Sequence, residues 1–179
     1  MRKDFAALIL THGRADKIYT VKTLRSHGYT GRIVIVIDDE DKSADRYREN
    51  YSDQVEVFDK TQAAKDFDEG DNFNDRRSIF YARNASFEIA RRVGVRCFVQ
   101  LDDDYSGFYY RFDGDGIYGV WKLDNLDWLF SRLCNFLSAT PFSSVAISQG
   151  GDHIGGGSGW KSIKAMRKAM NSFVCDVDR

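Results

Sequence analysis

Hydrophobic residues fall along the chain in two patterns, short unbroken runs and stripes that repeat every three or four positions, and each predicts a different element. Phe5-Ala6-Ala7-Leu8-Ile9-Leu10 is an unbroken run followed by Thr11-His12-Gly13-Arg14, which predicts a strand buried on both faces and then a loop. Within residues 17–27 the apolar positions Ile18, Val21 and Leu24 lie three apart, and Gly28 follows as a stop. That spacing predicts a helix. Ile33-Val34-Ile35-Val36-Ile37 sets β-branched residues in a row before Asp38-Asp39, a second buried strand with carboxylates at its C-terminal end. Residues 43–50 read as a short helix and Val55–Phe58 as a third strand.

Residues 59–75 have no sustained period and read as a polar surface connection. Residues 76–93 then carry Ile79, Ala82, Ser86, Ile89 and Val93 at steps of three and four before Gly94, a helix with one core-facing stripe and a glycine C-cap. Residues 96–101 predict a fourth strand running into Asp102-Asp103-Asp104, residues 123–137 a helix, and residues 144–148 a strand. Strands alternating with helices imply right-handed crossovers. The expected fold class is therefore α/β, a mostly parallel, Rossmann-like sheet flanked by helices, in one domain over residues 1–179. In such sheets ligands bind beyond the carboxyl ends of the strands. Three strands here end in polar loops: Thr11 to Arg14, Asp38 and Asp39, and Asp102 to Asp104.

Composition narrows the class. The chain has 179 residues, 42% hydrophobic and 30% charged, with a single proline, which excludes disordered and collagen-like chains. Net charge is −1 overall but uneven, +5 over residues 1–37, −9 over 38–75, +5 over 76–101 and −2 thereafter, so any basic surface is local. Cys97, Cys134 and Cys175 are odd in number and form no metal-binding spacing, which fits a reducing cytoplasm. No apolar run is long enough to span a membrane.

The acidic triplet carries the chemistry. Following a buried strand, Asp102 and Asp104 should point to one side and Asp103 to the other. Two carboxylates on one side suit a hard divalent cation, Mn²⁺ or Mg²⁺, with positions left for water and a diphosphate that the cation would neutralise as it leaves. Arg83 lies on the preceding helix, seven residues from Arg76 and so on the same face, where it can reach that diphosphate. Gln149-Gly150-Gly151-Asp152-His153-Ile154-Gly155-Gly156-Gly157 follows the last full strand without the order of a Walker or dinucleotide phosphate loop. It reads as a mobile lid on the acceptor side, with Asp152 and His153 as candidate catalytic groups, or else as a plain surface loop.

These residues together resemble the GT-A glycosyltransferases. The combination of Leu10-Thr11-His12-Gly13-Arg14-Ala15-Asp16, Ile35-Val36-Ile37-Asp38-Asp39-Glu40-Asp41, Arg83-Asn84-Ala85 and Leu101-Asp102-Asp103-Asp104-Tyr105 is similar to the bacteriophage group that accompanies TET/JBP-type base oxygenases and glycosylates hydroxymethylated pyrimidines in DNA. The resemblance implies a GT-A fold and a nucleotide-sugar donor. It sets Thr11 and Arg14 against the nucleotide and its phosphates and brings Asp38 or Asp39 to the base or ribose. It further implies a DNA acceptor in the host cytoplasm and no membrane partner. Plain alternatives stand beside these roles: an N-cap for Thr11, a solvated acidic run for Asp38 to Asp41. Lys161, Lys164 and Lys168 share one helical face beside the glycine stretch and would meet DNA phosphates. The last residues, with Phe173 and Val174 starting another strand, read as either a truncated chain or a reduced member of the group. Rival readings are a nucleotidyltransferase, which would release diphosphate from a nucleoside triphosphate, and a non-catalytic nucleotide-sugar or nucleic-acid binding module.

Overall fold

A computed structural model describes residues 1–65, 79–154 and 172–179. Strands β1 (Phe5–Leu10), β2 (Arg32–Asp38), β3 (Val55–Phe58) and β4 (Cys97–Asp102) pair in parallel, and β7 (Ser144–Ala146) and β8 (Phe173–Asp176) complete a six-stranded sheet in the order β3-β2-β1-β4-β8-β7. Only β8 is reversed, since it pairs antiparallel with both β4 and β7. The sheet is thus mostly parallel and GT-A-like, and the carboxyl ends of β1, β2, β4 and β7 all open on one edge.

All six residues of β1 are buried because helices cover both faces. Phe5, Ala7 and Ile9 pack with Leu24, Tyr47, Leu126 and Phe130, which belong to or adjoin α1 (Tyr19–Ser26), α2 (Ala44–Tyr51) and α5 (Leu126–Ala139). Ala6, Leu8 and Leu10 face Tyr81, Ala82, Ala85 and Ile89 of α4 (Phe80–Arg92). The split follows the two-residue period of a strand. Each fully buried large side chain contributes roughly 1.5–3 kcal/mol, so the unbroken apolar runs of the sequence serve two cores at once.

Two expectations need correction, and two further segments have structure that the sequence reading did not assign. Residues 60–65 form a short helix, α3 (Lys60–Lys65), within what reads as an unstructured connection; the remainder of that connection, with Arg76 and Arg77, lies outside the described residues. Residues 105–121 contain a hairpin, β5 (Tyr109–Phe112) with β6 (Tyr118–Lys122). Helix α5 starts at Leu126, where the Asn125 side chain accepts from the Trp128 amide at 3.0 Å. The glycine stretch, read as a mobile lid or a surface loop, begins as a 3-10 turn, Gly150–His153, closed by a reciprocal cap between Gln149 and Asp152. Gly155 to Gly157 and Lys161, Lys164 and Lys168 lie outside the described residues. Among those described, no helix is long and apolar enough to cross a membrane.

Candidate functional site

Register assembles the site. Leu10 lies level with Val36 on one side and Asp102 on the other, so the first residues beyond β1 emerge between the ends of β2 and β4. Thr11, 8% exposed, donates from Oγ1 to Asp103 Oδ2 at 2.6 Å and sits 3.1 Å from the Tyr47 hydroxyl. The Tyr47 hydroxyl accepts from the Arg14 amide at 2.8 Å, and Arg14 Nη1 pairs with Asp103 Oδ1 at 2.9 Å. Thr11 is therefore no N-cap. Asp103, 6% exposed, lies just beyond β4, which ends at Asp102, and holds the loop after β1 through Thr11 and Arg14.

At the end of β2 the structure separates the two candidate carboxylates. Asp38 is buried, receives His12 Nδ1 at 2.7 Å and lies 3.5 Å from Lys60 Nζ. Asp39 is exposed, and its Oδ1 accepts the backbone amide of Lys60 at 2.9 Å, fixing the start of α3. Asp41 is buried too, accepting from the Gly13 and Ser43 amides, so Asp38 to Asp41 is not a uniformly solvated run. Lys60, 8% exposed, was invisible as a site residue in the sequence: a lone lysine after a strand carries no periodic or motif signal.

Two cavities meet at the triplet. The larger, about 580 Å³, is lined by Thr11, Arg14, Asp38, Lys60 and Arg83, with Phe58 and Ala82 as apolar surface, and reaches Asp102, Asp103 and Asp104. The smaller, about 320 Å³, shares Asp102 and Asp104 and is walled by Tyr105, Tyr109, Arg111, Ser148, Gln149 and Ser172. Arg83 Nη2 donates to Asp102 Oδ1 at 2.8 Å, and its guanidinium lies 5.9 Å from the centre of the Phe173 ring. Burial raises the Asp102 pKa; Arg83 opposes this, while the Asp104 and Asp103 carboxylates add to it.

The acceptor-side candidates are placed differently from each other. Asp152 Oδ2 accepts the Gln149 amide at 2.9 Å, so its carboxylate shapes the turn that brings Gln149 and Gly150 to the smaller cavity. His153 is buried against Tyr118 and Phe112, with Nε2 at 3.0 Å from Ser148 Oγ. Burial, and then the Arg111 guanidinium, keeps its pKa below the usual histidine value. Neither residue lines the smaller cavity itself, whereas Ser148 does.

Among the described residues no group of three or more His, Cys, Asp and Glu side chains is arranged to hold a metal ion. Asp102 and Asp104 supply carboxylate oxygens only. Such a donor pair fits a hard cation that completes its shell with water and phosphate oxygens, as Mg²⁺ and Mn²⁺ do; it does not fit a closed zinc site. No curated protein matches the chain. Residues 5–179 match the family model described as TET-Associated Glycosyltransferase.

Proposed function

We propose, from the premise that the chain belongs to the TET-associated glycosyltransferase family, that this glycosyltransferase moves a sugar from a nucleotide-sugar donor to the hydroxyl of a hydroxymethylated pyrimidine in phage DNA, assisted by Mn²⁺ or Mg²⁺. The observation that carries the reading is that the two cavities share Asp102 and Asp104. A donor lying in the larger cavity with its diphosphate at those carboxylates presents its sugar carbon to the smaller one, where the acceptor hydroxyl attacks.

Each role follows from side-chain chemistry. Asp38 and Lys60 offer an acceptor and a donor to the base or ribose, and Phe58 and Ala82 supply apolar contact. Arg14 and Arg83 suit diphosphate oxygens, and Asp102 and Asp104 would hold the cation, which would supply Lewis-acid stabilisation of the leaving diphosphate. On the acceptor side, Ser148 Oγ lies on the cavity wall within hydrogen-bond distance of His153 Nε2. A proton leaving the acceptor hydroxyl has a route through Ser148 to His153, which sits within hydrogen-bond distance of the serine hydroxyl. Asp152 holds the turn beneath them. Tyr109, Tyr110 and Trp121 on the hairpin are exposed and offer stacking surfaces to a displaced base, whose flipping costs a few kcal/mol.

The test supplies labelled nucleotide sugars with duplex DNA carrying or lacking 5-hydroxymethyl groups. Label entering only the hydroxymethylated DNA, and only with divalent metal, supports the reading. Label entering small glycans or protein but never DNA overturns the acceptor while leaving the glycosyl transfer.

A further inference from the structure

We infer that Asp103 is a positioning residue that sets Arg14 for the donor diphosphate, with Tyr47 as its second support. The inference rests on the proposed phosphate role of Arg14. Asp103 is buried in a site built largely of polar groups, and both its oxygens are engaged: Oδ2 by the Thr11 hydroxyl at 2.6 Å, Oδ1 by Arg14 Nη1 at 2.9 Å. Its own main chain is pinned as well, since its carbonyl accepts the Thr20 amide at 3.2 Å. Tyr47, fully buried on α2, takes the Arg14 amide at 2.8 Å and meets Thr11 Oγ1 at 3.1 Å. Arg14 is thus gripped at both its backbone and one nitrogen of its fork.

The Arg14 side chain is 56% exposed, against 8% for the Asp103 side chain. A buried carboxylate paired to an exposed guanidinium fixes the fork's direction, because the planar group loses rotational freedom before any anion arrives. The remaining N–H groups then meet phosphate oxygens without further ordering. Asp103 borders the larger cavity beside Arg14, but both its oxygens are already taken by Thr11 and Arg14, so it acts on the ligand through Arg14, whereas Asp102 and Asp104 also line the smaller cavity.

The experiment is a double-mutant cycle read by calorimetry, with inorganic pyrophosphate and UDP as probes in Mg²⁺ and uridine as the phosphate-free control. Asp103→Asn preserves volume, yet it removes the charge that pairs with Arg14. Asp103→Asn and Arg14→Ala should each weaken pyrophosphate about tenfold, and the double variant should bind no more weakly than Arg14→Ala alone. Uridine affinity should not change. Loss in Arg14→Ala with none in Asp103→Asn, or losses that add in full, overturns the positioning role and leaves the phosphate role standing. No loss in Arg14→Ala overturns both. Should Asp103→Asn fail to fold, Tyr47→Phe carries the same cycle: a smaller loss in the wild-type background and none in the Arg14→Ala background supports the inference, and equal losses in both overturn it.

Discussion

Arg83 Nη2 and Asp102 Oδ1 lie 2.8 Å apart, so α4 delivers a cation directly onto a carboxylate at the end of β4. The two groups at the cavity junction that are best suited to a diphosphate and to a metal ion neutralise each other in the free protein. Under the proposed function, donor and cation arriving together would exchange that internal pair for one phosphate–arginine and one metal–carboxylate contact.

Asp102→Asn and Asp104→Asn should each abolish most of the gain in UDP affinity on adding Mn²⁺, a loss of roughly tenfold or about 1.4 kcal/mol. Titrations with Mn²⁺ and with a chelator measure it. Equal affinities with and without metal in the wild-type protein would remove the cation from the site.

Arg83→Ala should weaken a nucleoside diphosphate by about tenfold while leaving the free nucleoside unaffected, since the guanidinium contributes charge-assisted bonds only to phosphate. Parallel isothermal titrations with UDP and uridine separate the cases. A common loss for both ligands would mean that Arg83 shapes the cavity instead of contacting phosphate.

Gly28→Ala should cost about 2 kcal/mol or more of stability. Gly28 has φ +77°, a left-handed conformation that penalises any L side chain by roughly 1–2 kcal/mol, and a methyl there would strike the Asp124 carbonyl. Urea unfolding should report a lower midpoint with an unchanged slope.

Stability should carry an acid limb traceable to His153. Burial and Arg111 depress its folded-state pKa, so below about pH 6.5 the unfolded chain takes up a proton that the folded chain resists. Stability is unaffected by this group above that pH, falls as pH drops toward the depressed folded value, and levels off beneath it. The difference in Tm between wild type and His153→Gln, measured from pH 7.5 to 5, should shrink through that window; a constant difference would refute the assignment.

The sheet was legible because its chemistry is local. Runs such as Phe5–Leu10 admit few other readings, and the alternation of strands and helices orders the carboxyl ends. The unreadable parts depend on contacts distant in sequence. Asp103 reaches partners 92 and 89 residues away, and Tyr47 reads as a core aromatic until its hydroxyl is seen between Thr11 and Arg14. Helix α3, at six residues, is too short to show a period and draws its start from the distant Asp39. The hairpin carried a turn signal in Asp113-Gly114-Asp115-Gly116, but its exposed aromatics lack the inside-outside alternation that marks most strands.

The reversed strand β8 also dictates when the molecule can be finished. Among the described residues β7 has no sheet neighbour except β8, and β7 leads into Ser148 and Gln149. During synthesis β1 to β4 can pair once residue 103 has left the ribosome, which assembles Thr11, Arg14, Asp38 and Asp103 before residues 104–179 emerge. The Ser148 and Gln149 wall of the smaller cavity must wait for residues 173–176, because a three-residue edge strand without a neighbour has too few contacts to persist. A nascent chain stalled short of that point would present a nearly formed larger cavity to solvent, with Val99 and Phe98 of β4 still lacking the strand that covers their open side.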